Sequence, residues 1–385
     1  MKILMIAPEP FFEPRGTPFS EYFRIKALSA LGHQVDLITY PIGEDKRIPG
    51  LRIFRGPKIP FIRRVKTGPS FAKLILDGVL FFRVAGRLLA ADYDLIHTHE
   101  EASVMGVFFS KTSRIPHLYD MHASLVQHMD NFEFTRSRVI VGIFRLFEKW
   151  SLRNARSVIV ICRALAEYAA QITAAKKLTV IENFMDETPA RPERNRVARL
   201  RLEINPENKK LVVYAGTLEA YQGIPLLLDS WSFLDDRFRL VLVGGNDRQI
   251  AALEKNVAER GLSGRVRLLG RRQSEEIPPL LLAADVLVSP RSLGTNIPLK
   301  IYSYLRSGVP VVATNLYTHT QSLSNDIAIL AEPNPPAFAA GIRRAAGPAG
   351  QASGRRAREY CHRHYTAKRY IELVRQAVAM AVGDG

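Results

Sequence analysis

Short apolar runs alternate with amphipathic stretches of helical period along nearly the whole chain. That alternation is the pattern of βαβ units and parallel sheets. Residues 2–7 read as a strand, 19–31 as a helix closed by Gly32, and 34–40 as the next strand. Buried strands are expected at 95–98, 117–119 and 157–161, with helical stretches such as 137–153 between them, and at 178–181, leading to Asn183. From Asp186 to Lys210 the pattern lapses into a charged, proline-bearing run, which reads as a linker with room for a short helix. Strands resume at 211–215, 239–243, 265–268, 285–289 and 310–314, and a basic helical stretch, 355–382, ends the chain. The expected organisation is a first Rossmann-like domain over 1–187, a linker over 188–210, a second such domain over 211–365 and a C-terminal helix over 366–385 that packs across the domains. Two doubly wound sheets facing one another would bring their carboxyl ends to a central cleft, so functional residues are sought in the loops after strands.

Length agrees with two domains, since 385 residues exceed what one core usually supports. With 47% apolar, 24% charged and 9% aromatic residues the chain is ordinary globular protein, and disorder and fibrous repeats are excluded. The opening MKILMIAPEP meets Pro8 and Pro10 too early for a signal peptide. The most apolar stretch, 71–91, carries Lys73, Asp77, Arg83 and Arg87, too many charges for a bilayer span. Cys162 and Cys361 form neither a disulfide framework nor a thiolate zinc motif, which points to a reducing cytosol.

The net charge of +17 calls for an anionic partner. Between Lys46 and Leu76 nine cations, Arg63, Arg64 and Lys66 among them, are interleaved with bulky apolar residues and no acid. Such a segment suits docking on an anionic membrane better than a nucleic-acid groove, and a solvated basic loop is the alternative. No RNP, KH or zinc-finger spacing supports a nucleic-acid partner.

The segment SPRSLGTNIPLKIYSYLRSGVPVVATN, 289–315, is the most informative. Asn296 suits an N-cap, Pro298 an early helical position and Gly308 a C-cap, so a short helix over 298–307 is expected. Lys300 would stand in its first turn, against the macrodipole, which suggests a bound anion held also by backbone amides around Gly294–Ile297; an exposed lysine is the other reading. Gly216 and Gly244 follow strands and would let a nucleotide approach the backbone. In the first domain the loop at Gly16 and Thr17 opens a helix and offers free N–H groups for a phosphate, or is a plain strand-to-helix turn. His122 stands at a strand end, where it would reach a transferred group with Asp120 orienting its neighbours, or merely cap the strand. His97 and His99 share one face of a strand, but no third ligand is apparent in the sequence, and no metal site is assigned.

With these residues in view the chain resembles the retaining GT-B glycosyltransferases often called family 4. The resemblance runs through the Gly16 loop, residues 94–99, Asp120–His122, 158–163, 180–183, Ala215–Thr217, Gly223 and 298–313. It implies a GT-B fold, an acceptor-binding first domain, a second domain holding a UDP- or GDP-linked sugar as co-substrate, and metal-independent transfer with retention. Gly16 and Thr17 would close on the donor phosphate and His122 would meet the transferred sugar. Gly294, Thr295, Asn296, Ile297, Pro298, Leu299 and Lys300 would hold the sugar and diphosphate. Where the family carries an arginine and a lysine on the donor diphosphate this chain has Thr217 and Gln222, and its two glutamates fall on Thr295 and Ser303. The expectation is a divergent, active transferase, peripheral on the cytoplasmic face of a membrane, that acts on a lipid-linked or glycan acceptor. The rival is an inactive nucleotide-sugar-binding partner of an active transferase.

Overall fold

The computed structural model describes residues 1–13, 16–62, 65, 70–126, 137–182 and 192–383. Arg63, Arg64, Lys66 and Asn183 lie outside these residues. Two compact units are formed, Met1–Phe184 together with Ala367–Gly385, and Met185–Thr366.

The first unit is built on seven parallel strands, β1 (Lys2–Ala7), β2 (Gln34–Thr39), β3 (Leu51–Arg55), β4 (Leu95–His99), β5 (His117–Met121), β6 (Ser157–Val160) and β7 (Leu178–Val180). Their spatial order is β3-β2-β1-β4-β5-β6-β7. Its helices are α1 (Gly16–Ala30), α2 (Phe71–Ala90), α3 (Ser103–Ser113), α4 (Arg138–Asn154) and α5 (Arg163–Ala170). Strands such as β1 form from unbroken apolar runs because a parallel sheet is covered on both faces. Leu4, Ile6, Ile38 and Ile96 pack beneath Leu76, Leu80 and Val84 of α2 and Phe109 of α3.

The second unit has six parallel strands, β8 (Lys210–Ala215), β9 (Phe238–Val243), β10 (Val266–Gly270), β11 (Val286–Ser289), β12 (Val311–Thr314) and β13 (Ile329–Ala331), ordered β10-β9-β8-β11-β12-β13. Its helices are α6 (Arg194–Ile204), α7 (Ile224–Ser230), α8 (Asp247–Glu259), α9 (Ile277–Ala283), α10 (Lys300–Ser307), α11 (Tyr317–Thr320), α12 (Pro335–Ala345) and α13 (Pro348–His364). Trp231, fully buried, anchors its core with Phe238 and Phe338. Within the stretch read as a linker, α6 is fastened to this unit by Arg201, which donates to the Ala283 carbonyl at 2.6 Å and to Asp285 at 2.8 Å. The terminal helix α14 (Ala367–Val382) returns to the first unit and packs on α1 and β5–β7.

One expectation needs correction. The helix after Asn296 begins only at Lys300, with Leu299 in the cap position and no side-chain cap. Proline disfavours a helical conformation at Ile297 before it, and the chain enters through a tight turn in which Ile301 donates to the Pro298 carbonyl. The basic segment 46–73 forms ion pairs within the protein at four of its six described cations. Of its described cations, Lys46 pairs with Glu44, Arg52 with Asp36, Arg55 with Asp45 and Lys73 with Glu101, while Ile53 and Phe54 belong to the edge strand β3.

Candidate functional site

In the second unit the loop after β8 and the start of α10 form one arrangement. Lys300 Nζ donates to Gln222 Oε1 at 2.9 Å and stands 3.8 Å from the centre of the Tyr214 ring. Gln222 donates in turn to Thr217 Oγ1 at 3.3 Å. A Cβ on Gly216 would stand 2.9 Å from Lys300 Nζ, so glycine leaves the space that the ammonium uses. A Cβ on Gly244, at φ +122°, would collide with the Gly216 carbonyl, so these two glycines let the loops touch backbone to backbone. Beside them Arg291 lies over the Tyr221 ring at 5.1 Å, and Ser292 N–H donates to the Tyr221 carbonyl at 3.0 Å. Burial, with the Arg291 charge second, holds the Lys300 ammonium well below the usual lysine range. Burial lowers Arg291 as well. Among the described residues neither cation has a carboxylate in ion-pair distance. An anion beside this basic pair would restore the Lys300 ammonium that burial and Arg291 disfavour.

Gly294 abuts Arg291, whose guanidinium occupies the space of a Cβ there. Ser303 lies one turn beyond Lys300 on α10, partly exposed. The carbonyls of Thr295 and Asn296 are tied to Gln321 and to Thr318 of α11, respectively, and Ile297 and Pro298 are buried beside them. This stretch is therefore held as a fixed loop, with Leu299 leading into the helix.

In the first unit β4 and β5 run in register, His99 opposite Asp120. Asp120 and His122 come together as expected, with Asp120 Oδ1 at 3.3 Å from His122 Nε2. His97 Nε2 lies 3.4 Å from Asp120 Oδ2, and His99 Nδ1 3.1 Å from His122 Nε2. Arg24 of α1, fully buried, donates to both Asp120 oxygens at 2.6 and 3.2 Å and to the Tyr370 hydroxyl of α14 at 3.0 Å. Burial alone would raise the Asp120 carboxyl, but the Arg24 guanidinium and the histidines hold it well below the usual range. Burial keeps His97 and His99 low, so both are neutral near pH 7.

Asp120 also supplies the third ligand atom that the sequence does not reveal, since the donor atoms of His97, His99 and Asp120 lie within 4.8 Å of one another. The carboxylate charge is nevertheless already matched by Arg24, and a divalent ion would stand beside a buried guanidinium. The cluster reads as a buried Arg24–Asp120 ion pair bordered by neutral imidazoles of His97 and His99.

Around Gly16 and Thr17 the described ionisable groups are acidic. Thr17 Oγ1 donates to Glu100 at 3.4 Å, and Glu100 and Glu21 are both buried. Their carboxyls are raised well above the usual range, by burial first and then by each other's neighbours, Glu9 among them. Pro14 and Arg15 lie outside the described residues.

Two family models match the chain, the glycosyl transferase 4-like domain over residues 25–183 and glycosyl transferases group 1 over 209–347. The chain belongs to the family 4-like GT-B glycosyltransferases. Among its relatives are a 2-deoxystreptamine glucosyltransferase of Streptomyces kanamyceticus, 26% identical over 57% of this chain and 59% of that protein, and a phosphatidyl-myo-inositol mannosyltransferase of Mycobacterium leprae, 22% identical over 82% and 79%. The crystal structure of Anabaena HepE in complex with UDP shares the fold, with a TM-score of 0.79 at 19% identity over 98% of this chain and 100% of that one.

For a glycosyltransferase of this family the second-unit loop is short of two cations, because Thr217 and Gln222 are neutral. Lys300 and Arg291 bring charge to the same loop from the other side. Sequence reading missed Arg291, although it stands nine residues before Lys300 in the segment already singled out. It missed Arg24 and Tyr370 as well; the one available signal was a charged residue, Arg24, between Phe23 and Ile25 on the apolar side of α1.

Proposed function

We propose that this protein transfers a glycosyl group from a nucleotide-sugar donor to an acceptor carried at a membrane, with retention of configuration and without a metal ion. The observation that carries this reading is the pair Lys300 and Arg291, two desolvated cations on a glycine-lined loop with no carboxylate paired to them among the described residues. A diphosphate would supply the missing counter-charge, and the amides after Gly216 and Gly244 could approach it without hindrance from side chains. His122, turned toward Asp120 and His99, would hydrogen-bond the sugar as positive charge develops on it. Asp120, kept ionised by Arg24, fixes the ring and stabilises that charge. The names of relatives that act on phosphatidylinositol or an aminocyclitol support a polyhydroxylated acceptor.

Titration calorimetry with UDP- and GDP-sugars, run beside a turnover assay, tests the reading. Lys300→Ala should weaken donor binding by about 1.5–3 kcal/mol, the contribution of a charge-assisted contact. Donor binding unchanged in Lys300→Ala would place the diphosphate elsewhere, and binding without turnover for any donor would favour the inactive-partner reading.

A further inference from the structure

Helices α2, α3 and α4 lie side by side over the first sheet, α3 touching both neighbours. Many of their outward positions, where polar side chains belong, are apolar instead. Ile75, Phe82 and Leu89 recur at every seventh residue on one stripe of α2 and are 56%, 76% and 91% exposed. Gly78 and Gly86 lie near the stripe with nothing within 4 Å of their Cβ positions. On α4, Val139, Ile143 and Leu146 follow at helical spacing and are exposed. Phe108 of α3, half exposed, is in ring contact with Phe81 of α2 and extends the stripe onto α3. Scattered exposed apolar residues are normal, whereas a run across three adjoining helices marks an interaction surface.

Charge selects the occupant. The three helices carry Lys73, Arg83, Arg87, Lys111, Arg138, Arg145, Lys149 and Arg153 against two acids. Both acids are engaged within the protein, Asp77 with the Tyr40 hydroxyl at 2.6 Å and buried Glu148 with Ser124 and the Leu125 N–H. Lys73 and Arg87 pair with Glu101 and Asp36. Arg83, Lys111, Arg138, Arg145 and Arg153 are exposed and form no ion pair among the described residues. A second copy of the chain would set like charge against like. No helix among the described residues is long and apolar enough to cross a membrane, so contact with lipid would be made from the surface.

We propose that the outward face of α2, α3 and α4 docks on a bilayer containing anionic lipid. The apolar stripe enters the headgroup boundary and the arginines and lysines meet the lipid charge. That docking serves a membrane-borne acceptor rests on the transfer reading above; the docking itself does not.

The test is co-sedimentation of the full chain with vesicles of phosphatidylcholine alone and of phosphatidylcholine mixed with phosphatidylglycerol. Binding is expected to the mixed vesicles and should weaken with salt. Phe82→Ser with Leu89→Ser should lower partitioning on the order of a hundred-fold, and Arg83→Ser with Arg138→Ser by about five-fold per charge. Leu202→Ser, exposed on α6, should bind as the unaltered protein does. All five altered residues are exposed, and a melt by circular dichroism checks that the variants fold. Absence of binding to mixed vesicles, equal binding to phosphatidylcholine alone, or variants that bind undiminished would overturn the proposal. So would a dimer by light scattering that Phe82→Ser with Leu89→Ser returns to monomer. Donor affinity by calorimetry should be unchanged in these variants; vesicle binding without any donor binding would strike the transfer reading and leave the docking surface standing.

Discussion

Replacing Arg24 by methionine keeps an unbranched side chain and removes the charge that Asp120 faces. Both partners are fully buried and the contact is bidentate, at 2.6 and 3.2 Å, so the carboxylate would be left uncompensated in a dry site. Breaking a buried pair on one side costs about 3–5 kcal/mol, and the Tyr370 hydrogen bond is lost with it. In a unit of this size the melting temperature should fall on the order of 10 °C. The sign of the pH dependence follows from the carboxyl. In the native protein Asp120 is depressed, so the stability it contributes is present above its unfolded value and lost only as pH falls through the lower folded one. Without Arg24 burial dominates and the Asp120 value rises above the unfolded one, so stability is lost as pH rises through it. The deficit of Arg24→Met should therefore be larger at pH 7 than at pH 5. Urea unfolding followed by circular dichroism at the two pH values measures this, and Asp120→Asn added to Arg24→Met should recover much of the loss. A deficit below about 1 kcal/mol, or one that grows on acidification, would refute the reasoning.

Four further expectations concern the site and its frame. Ser303→Ala should weaken nucleotide-sugar binding only a few-fold, as for a neutral hydrogen bond; a larger loss than in Lys300→Ala by calorimetry would reverse the assignment of the phosphate contact. His122→Ala should lower turnover roughly 10²-fold or more while the donor dissociation constant moves less than about threefold, because its contact is to charge that develops in transfer; full turnover would make it a strand cap. Gly223→Ala should destabilise by about 2 kcal/mol or more in urea, since its φ is +73° and the new Cβ would sit 1.9 Å from the Pro290 carbonyl. Gly86→Ala, in open space within α2, should instead stabilise by about 0.5–1 kcal/mol.

The buried strands were legible because a parallel sheet covered on both faces demands unbroken apolar runs, as in Lys2–Ala7 and Phe238–Val243. The strands that escaped, β3 and β13, lie at sheet edges. LRIFR in β3 is half exposed and lends its arginines to Asp36 and Asp45, so along the sequence it resembles a basic docking segment. β13 is three residues long, too short for any period. Lys300, Gly216 and Gln222 could be named because each sits at a strand or helix end. Arg291 and Arg24 could not, because their roles depend on which ring or carboxylate lies across from them. The outward face of α2 was hidden for a similar reason. Its leucines and phenylalanines read equally well as core until packing shows which stripe is covered.

Because α14 belongs to the first unit, the chain leaves that unit near residue 184 and comes back to it only at Ala367. A ribosome thus completes the second unit's sequence while the first still lacks a helix, and Arg24 waits for Tyr370 until the last stretch has emerged. The unit whose sequence is translated first is thus the one whose sequence is completed last. Until then the surfaces of α1 and β5–β7 that α14 will cover are open to water and to chaperones.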